Sequence, residues 1–336
     1  MNTEFSSILN QENRMLQWAS AVQYNKNNLT QEDKEISAIV DAWAKEIGRT
    51  GHDKDHELSA LVTRSLESDE VATPSELLDR AFDMDAIGEF DEWEGITPKN
   101  GIQAFEALPG GNVNRTFVDF AALRPEWTGL QAETDISFTK LRRLGAGAVA
   151  ELLVYIREAL EAKKISLIMQ KIANGIVGGA NEITDSGSLP TDEAMREFEL
   201  YLLDAADGDE KPVAFALNKY IQAITRLEGV TTFLTERVKD MYNTTGRVQY
   251  YGGVELFGYS GHKKLADGSF VVPDNTILGF AGKIGSHITR GETLVFEESD
   301  INSEKVHLKV GGYQFGVAIA HPEKVVKLVL NTGSAE

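Results

Sequence analysis

The sequence predicts an α+β protein organised around one helix of unusual length. The segment from Gly145 to Gly179 has helical apolar spacing and ends at a glycine pair, Gly178 and Gly179. At about 1.5 Å of rise per residue such a helix is about 45 Å long, more than twice the mean length. Polar residues recur along it, which argues against a membrane span. A helix of this kind indicates a structural component before it indicates an enzyme.

The composition is that of a globular chain without cysteine. Its 336 residues are enough for two or three domains. The absence of cysteine excludes disulfides, thiolate metal sites and a cysteine nucleophile. Residues Met1 to Asn10 contain no basic stretch followed by an apolar run, so we expect no signal peptide.

The net charge of −19 is concentrated in the first part of the chain. Residues 1–100 contain nine Lys and Arg against twenty-one Asp and Glu, a balance of −12, and the remaining residues supply −7. Tight binding of nucleic acid requires clustered basic residues, so this balance argues against it. Two interpretations stay open: the charge serves solubility, or it forms an acidic wall along which DNA slides without sticking.

The N-terminal third is predicted to be an arm that carries small helices and no deep core. Residues 1–30 are polar and rich in Asn and Gln. Apolar residues at helical spacing predict a helix over 31–48, and Thr73-Pro74 opens a second, shorter helix. Residues 88–111 are irregular, acidic and rich in turns.

A β-hairpin is predicted next, immediately before the long helix. Val113–Phe120 and Thr134–Leu141 resemble strands and are separated by a polar loop around Trp127. Excursions of this length usually reach a partner or form a lid. In the long helix itself, the apolar stripe changes phase at Lys163 and Lys164, which predicts either a bend there or a rotation of the buried face.

The remaining sequence alternates helices and short strands. Thr191 is placed to cap one helix, and a second is predicted from Pro212 to Gly229. Turn residues separate a series of short apolar runs after that point. The predicted strands are a strand around Val248, Val254–Phe257, Phe270–Val272, Thr276–Phe280, Thr293–Phe296, Val306–Val310, Tyr313–Ile319 and Val325–Leu330.

The motifs with catalytic or binding potential are weak. Gly145, Gly147 and Ala150 resemble a dinucleotide-binding turn, but the helix that follows is too long for that unit. His52 and His56 stand four residues apart among carboxylates, which on a helix would suit a metal; a solvated loop is the favoured interpretation. The other histidines (262, 287, 307 and 321) stand apart from any nucleophile motif. We therefore expect no catalytic residue, cofactor or metal.

Four segments, taken in order, carry a family resemblance. They are KKISLIMQKIANGIVGGA (163–180), PVAFALNKYIQAITRLEG (212–229), VVPDNTILGFAGKIG (271–285) and YQFGVAIAHPEKVVKLVL (313–330). They resemble segments of the major capsid proteins of tailed double-stranded DNA bacteriophages, the Hong Kong 97-type fold. The first is similar to the end of that family's spine helix, the second to its axial-domain helix, and the last two to strands that return to its peripheral domain. The resemblance covers about residues 112–330, and the order of these loose motifs carries it.

The resemblance implies a domain plan. The expected parts are an extended N-terminal arm with short helices (1–111), an extended β-hairpin loop (112–144), the spine helix with the start of the peripheral domain (145–185), an axial domain interleaved with peripheral-domain strands (186–320), and a C-terminal peripheral-domain strand and tail (321–336). Many relatives carry a basic, cleaved N-terminal scaffold, whereas the first 100 residues here are acidic. That difference implies an uncleaved arm, with scaffolding supplied separately or not at all.

The function implied is a structural, non-enzymatic one in the virion. Copies of the chain would assemble in the host bacterial cytoplasm into hexamers and pentamers of an icosahedral head. Its other partners would be a portal, scaffolding or cement proteins, and packaged DNA in loose non-specific contact, with no membrane. Two alternatives are kept: an encapsulin-type compartment shell, against which the acidic arm argues, and an α+β enzyme with a helical lid.

Basic and aromatic residues near the hairpin and the long helix are the candidates for contacts between subunits. Lys140, Arg142 and Arg143 form a basic cluster that suits an acidic surface of a neighbour, or simply a charged strand face. Lys140 is the sole lysine of the predicted hairpin. No asparagine and glutamate that would match it as partners are found in the sequence, so we predict no covalent cross-link between subunits. The candidate interface residues are Arg115, Trp127, Lys140, Arg142, Arg143, Lys163 and Lys164.

Overall fold

The computed structural model describes most of the chain in thirteen stretches. These are residues 14–25, 28–46, 57–63, 76–100, 118–176, 179, 181–208, 210–227, 249–262, 264–265, 267–300, 304–312 and 314–331. Arg115, the stretch from His52 to His56 and the predicted strand around Val248 lie outside these residues.

Helices from the N-terminal third pack into the body of the molecule. They are α1 (Arg14–Tyr24), α2 (Gln31–Glu46), α3 (57–63) and α4 (Glu76–Ala81). Trp18 and Val40 are fully buried, and Trp18 Nε1 donates a hydrogen bond to Ser37 Oγ (2.9 Å). The helix predicted at 31–48 is confirmed by α2. The expectation of little core in residues 1–30 is wrong for α1, because its apolar face packs on the long helix.

The long helix is confirmed as α6 (Ala146–Gly175), 30 residues in one continuous element. A short helix, α5 (Phe138–Leu144), precedes it, and Gly145 separates the two. The predicted rotation of the buried face is confirmed. Leu152, Ile156, Leu160, Lys164 and Ile168 are all buried and follow one another at four-residue spacing. Because four residues exceed one turn of 3.6, the buried face turns around the helix between its first and second halves.

The predicted hairpin between 113–120 and 134–141 is wrong in its pairing. The strand β3 (Val118–Leu123) pairs antiparallel with β2 (Gly95–Asn100) and not with residues 134–141. Residues 138–141 are helical, because Ser137 Oγ accepts a hydrogen bond from the backbone N–H of Lys140 (3.1 Å) and caps α5. Sequence pattern alone missed β2, which lies in a stretch expected to be irregular.

The structure also contains a four-stranded sheet and a three-stranded sheet, each built from strands that are far apart in the chain. The first has the order β1 (Phe82–Ile87), β11 (Gly285–Arg290), β14 (Gln314–Ile319) and β4 (Glu126–Gly129). The second has the order β12 (Leu294–Asp300), β13 (Lys305–Gly311) and β5 (Ala132–Ser137). Only the pairing of β1 with β11 is parallel among these contacts. The strand β1, from the N-terminal third, therefore forms one edge of a sheet whose two central strands are C-terminal.

A six-stranded mixed sheet forms the core of the C-terminal half. Its order is β6 (Glu182–Asp185), β15 (Val325–Leu330), β10 (Thr276–Phe280), β7 (Val213–Leu217), β9 (Val254–Tyr259) and β8 (Tyr250–Tyr251). Every residue of β7 and β10 is buried. The helix α7 (Asp192–Ala205) packs against this sheet, and Thr191 caps it as predicted by accepting a hydrogen bond from the backbone of Ala194.

The predicted helix from Pro212 to Gly229 is wrong in its first half. Residues Val213–Leu217 form the central strand β7, and helix α8 (Asn218–Thr225) begins only afterwards. Five consecutive apolar residues suit a strand that is buried on both faces. Phe215 stacks on Phe257 of β9, with ring centroids 5.1 Å apart. A short apolar run is compatible with a buried strand and with a helix. The sequence pattern therefore left the choice open, and packing against β9 favours the strand.

The other strand predictions are mostly confirmed. Thr276–Phe280 and Val325–Leu330 match their strands residue for residue. Phe270–Val272 is wrong, since Phe270 makes only an isolated bridge to Lys264. The strand β11 was not predicted, because its sequence, GSHITR, has few apolar residues.

Candidate assembly surfaces

The N-terminus of the long helix is capped by a side chain from α2. Asp41 Oδ1 accepts a hydrogen bond from the backbone N–H of Ala146 (2.7 Å). A carboxylate at this end of a helix satisfies an unpaired N–H group and interacts favourably with the helix dipole. Gly145 permits this contact because its φ of +50° is open to glycine, and a Cβ there would overlap the Asp41 carboxylate.

The C-terminus of the long helix is held by a lysine from β15. Lys327 Nζ donates hydrogen bonds to the carbonyl oxygens of Ala173 (3.2 Å) and Ile176 (2.7 Å), and it forms an ion pair with Glu182 (2.8 Å). The Lys327 residue is only 9% exposed. A cation is favourable at this end of a helix. The helix is therefore fixed at one end to the N-terminal helices and at the other to the six-stranded sheet.

The hairpin of β2 and β3 is a separate two-stranded sheet. Its strands pair with each other and with no other described strand. At its base, Arg124 forms an ion pair with Glu94 (3.2 Å), and Trp93 Nε1 donates a hydrogen bond to Asp85 Oδ2 of β1 (3.1 Å). Because an isolated hairpin is marginally stable in water, this element is a candidate for contact with another copy of the chain.

A groove of about 480 Å³ runs between β5 and the long helix. Leu152, Ile156 and Ala148 form part of its apolar lining. Lys140 and Glu151 contribute charge and are paired with each other, Nζ to Oε2 (3.1 Å). The groove is bordered by an edge strand of the three-stranded sheet, which makes it a second candidate surface for a protein segment.

Comparison with known proteins identifies the architecture. Neither a protein-family model nor a curated protein sequence matches this chain. A solved structure from Mycobacterium phage Bobi matches 77% of this chain and 94% of its own, with a TM-score of 0.50 and 8% identity. The mature capsid of bacteriophage PhiM1 matches 77% and 90% (TM-score 0.47, 11% identity). A virus-like particle from Pyrococcus furiosus matches 76% and 92% (TM-score 0.43, 14% identity).

The chain has the Hong Kong 97-type capsid fold. The α+β class and the resemblance stated from the sequence are thereby confirmed at the level of the fold. The long helix α6 takes the place of the spine helix of this capsid fold.

Most of the predicted contact residues are engaged within the capsid-fold chain itself. Trp127 lies half-buried on the edge strand β4, with the guanidinium of Arg290 4.0 Å from its ring centroid. Lys163 pairs with Asp267 (3.4 Å), and Lys164 is buried in the spine helix. Lys140 pairs with Glu151 (3.1 Å) across the groove. Their roles between subunits remain predictions.

Arg142 and Arg143 differ from the other candidates because neither forms an ion pair within the described ranges. Arg143 is exposed, and the Nε of Arg142 is buried without a hydrogen-bond partner there. Both belong to α5 at the start of the spine helix. Of the predicted basic cluster, these two cations alone are available for a contact with another molecule.

The exposed face of the three-stranded sheet carries a ladder of opposite charges. Lys309 pairs with Glu133 (3.1 Å), and His307 Nδ1 lies 2.7 Å from Asp135 Oδ1, with Lys305 also close to Asp135. The hydrogen bond to Asp135 raises the pKa of His307, and it lowers the pKa of Asp135 in return. These charges compensate one another, so this face offers little net charge to a partner.

The features considered for catalysis or cofactors take other roles in the described residues. Gly145 and Gly147 follow the helix α5 rather than a strand, so the arrangement of a dinucleotide-binding turn is not formed. In the ranges described above, no group of three or more His, Asp or Glu residues is suited to hold a metal ion. No described helix is both long enough and apolar enough to cross a membrane.

Sequence reasoning missed the side chains that hold the spine helix. Asp41 lies in a helix predicted only for its apolar face, and Lys327 lies inside a run predicted as a strand. A charged residue within the apolar stretch VVKLVL is the one local signal of a special role for Lys327. Nothing near Asp41 in the sequence indicates its distant partner, Ala146.

His287 is an unusual buried residue next to the spine helix. It is fully buried on β11, its ring stacks on Phe315 (centroids 5.9 Å apart), and neither ring nitrogen has a hydrogen-bond partner in the described part of the chain. Burial, together with the positive charge of Lys164, lowers the pKa of His287 to about 3. The imidazole is therefore neutral at physiological pH.

We expect His287 to make the unassembled chain sensitive to acid. Its pKa is about 3 in the folded chain, against about 6.5 in the unfolded chain. The unfolded chain therefore binds the proton first, and stability falls as the pH falls through this window. From about pH 6 to about pH 4.5 the loss approaches about 2 kcal/mol. Urea unfolding at both pH values should show a smaller loss for His287→Leu than for the wild type.

The matched control for this experiment is His321→Gln, which removes an exposed histidine that lies 3.0 Å from Glu323. It should retain the acid sensitivity of the wild type. An equal loss of stability in His287→Leu and the wild type would contradict the assignment.

Proposed function

We propose that this protein is the major capsid protein of a tailed double-stranded DNA bacteriophage. It would assemble with itself into hexamers and pentamers of an icosahedral head and act as a structural protein of the virion, without catalysis. The observation that carries the proposal is the capsid fold, shared over about three quarters of the chain. The alternative of an encapsulin-type shell uses the same fold and is distinguished by the contents of the particle.

The contacts of the described residues support a role in assembly. The hairpin strands at 95–100 and 118–123 pair with no other described strand. We propose that this hairpin is the extended loop of the capsid fold and that it lies over a neighbouring copy. The spine helix is fixed at both ends by Asp41 and Lys327, so it holds the N-terminal helix α2 and the six-stranded sheet in a defined relation. We propose that this sheet, with α7 and α8, forms the axial domain and that the spine helix belongs to the peripheral domain.

The charge supports loose contact with packaged DNA. With a net charge of −19, the chain repels phosphate groups, so a shell of it would enclose DNA without binding it tightly. A portal and scaffolding or cement proteins are the further partners of this proposal. Assembly would take place in the bacterial cytoplasm.

The test is to express the full chain and measure its mass by size-exclusion chromatography with light scattering, followed by negative-stain microscopy. We expect hexamers, or tubes and shells whose mass is in the megadalton range. A chain that stays monomeric or dimeric under all conditions of salt, pH and concentration would contradict both shell functions. Nucleic acid inside particles from infected cells supports the phage capsid, whereas an enclosed enzyme supports the compartment.

A further inference from the structure

A tight turn between β1 and the hairpin presents an exposed phenylalanine. Phe90 is 92% exposed, although it is a large apolar side chain. The turn is braced from both sides: the backbone N–H of Asp91 donates to the carbonyl oxygen of Gly88, and the N–H of Gly88 donates to Asp91 Oδ2, both at 3.1 Å. Because these bonds already order the turn, docking of Phe90 would lose little conformational entropy.

Acidic side chains surround this phenylalanine. Glu89 and Glu92 are exposed, and neither forms an ion pair within the described residues. The turn therefore combines one aromatic side chain with unpaired negative charge, a combination that suits an apolar and basic partner surface.

The end of helix α5 has the complementary character. Leu144 is 50% exposed, and it follows directly on Arg142 and Arg143. The two guanidinium groups have no ion-pair partner in the described part of the chain, and Arg142 Nε is buried without an acceptor. Carboxylates are the acceptors that guanidinium groups bind most strongly, often through two hydrogen bonds.

We propose that the turn at 88–92 of one copy docks on the α5 end, Arg142 to Leu144, of a second copy. Phe90 would pack on Leu144, and Glu89 and Glu92 would pair with the two arginines. This contact rests on the proposed function, since it requires the chain to assemble with itself. Aromatic residues and arginines carry most of the binding energy in protein interfaces, which makes this pair of patches a focus of the contact.

The geometry of the contact specifies head-to-tail association. The two patches are different surfaces, and both are exposed in the single chain, so they do not satisfy each other within it. A contact between unlike patches joins copies in a ring or an open filament. Each copy in a ring uses its turn once and its α5 end once.

Charge reversal on separate chains tests the pairing. Variant T carries Glu89→Arg and Glu92→Arg, and variant H carries Arg142→Glu and Arg143→Glu. We expect each variant alone to yield about tenfold fewer assembled particles than the wild type, because like charges then face each other in every contact. A one-to-one mixture of T and H should recover assembly in even-membered rings, since every T–H contact again joins opposite charges.

The control variant Lys34→Glu and Lys45→Glu makes the same change in net charge as variant H at exposed positions on α2. We expect it to assemble like the wild type. If the wild type assembles and variant H does so equally well, the contact is wrong while the proposed function stands. If T and H each fail and the mixture also fails, the two patches do not pair. A wild type that never assembles overturns both proposals.

Cross-linking provides a readout that does not depend on charge. The natural chain has no cysteine, so Phe90→Cys and Leu144→Cys introduce the only two thiols. A short bis-maleimide should convert assembled particles of the double variant into a ladder of covalent oligomers. Either single variant should give none beyond a dimer. Particles that form normally but yield no ladder would overturn the contact.

Discussion

Replacing Gly145 by alanine is expected to lower the free energy of unfolding of the unassembled chain by about 3 kcal/mol. Gly145 has a φ of +50°, which an L-residue adopts only with strain. A Cβ at this position would also displace the carboxylate of Asp41, which removes the cap from the Ala146 N–H. Strain and loss of the cap therefore act together.

Urea unfolding of the Gly145→Ala variant, monitored by circular dichroism, measures this effect. Gly147→Ala is the matched control. Gly147 lies two residues further on, in the first turn of the long helix, and a Cβ there has no neighbour within 4 Å. We expect Gly147→Ala to be neutral or to stabilise by up to about 1 kcal/mol, since alanine is the better helix former. Similar unfolding midpoints for the two variants would refute the role of Gly145.

Replacing Lys327 by methionine is expected to destabilise the unassembled chain by about 3 kcal/mol. The side chain is nearly enclosed, and its loss removes the ion pair to Glu182 and the hydrogen bonds donated to the carbonyl oxygens of Ala173 and Ile176. Methionine fills a similar volume, so the effect reports the lost polar contacts rather than a cavity.

Lys163→Met is the control for this change. Lys163 also lies in the spine helix, but both side chains of its ion pair with Asp267 are exposed to solvent. Exposed pairs of this kind contribute at most about 1 kcal/mol. If Lys163→Met and Lys327→Met shift the urea midpoint equally, Lys327 does not fix the end of the helix.

Both predictions concern the attachment of the spine helix. A helix of 30 residues with its two ends bound to different parts of the chain transmits the position of one part to the other. In the proposed shell, that relation would set how the hairpin and the six-stranded sheet meet neighbouring copies. The two variants are thus also candidates for altered particle shape at temperatures where they remain folded.

The sequence-based prediction was most accurate where the structure depends on local pattern. The spine helix follows from apolar residues repeated over about thirty positions, and α7 follows from Thr191 and the apolar face behind it. The strands Thr276–Phe280 and Val325–Leu330 are bounded by turn residues, which fixed their ends. The capsid-fold resemblance rested on the order of these elements.

Prediction failed where a distant residue decides the outcome. The predicted strand Val113–Phe120 was given the wrong partner strand, because register and pairing depend on which edge the fold brings alongside. The residues after Ser137 form a helix instead of a strand, owing to its capping hydrogen bond. The burial of Lys164 was not foreseen either, because the elements that cover it come from elsewhere in the chain.

The sequence by itself determined the α+β class, the length of the spine helix, the acidic charge and the absence of thiol chemistry. These properties depend on composition and on periodicity within one segment. Only the tertiary structure decided that Asp41 and Lys327 hold the two ends of that helix, that β2 pairs with β3, and that Phe90 is exposed. Each of these depends on contacts between residues far apart in the chain, whose free energy no local pattern contains.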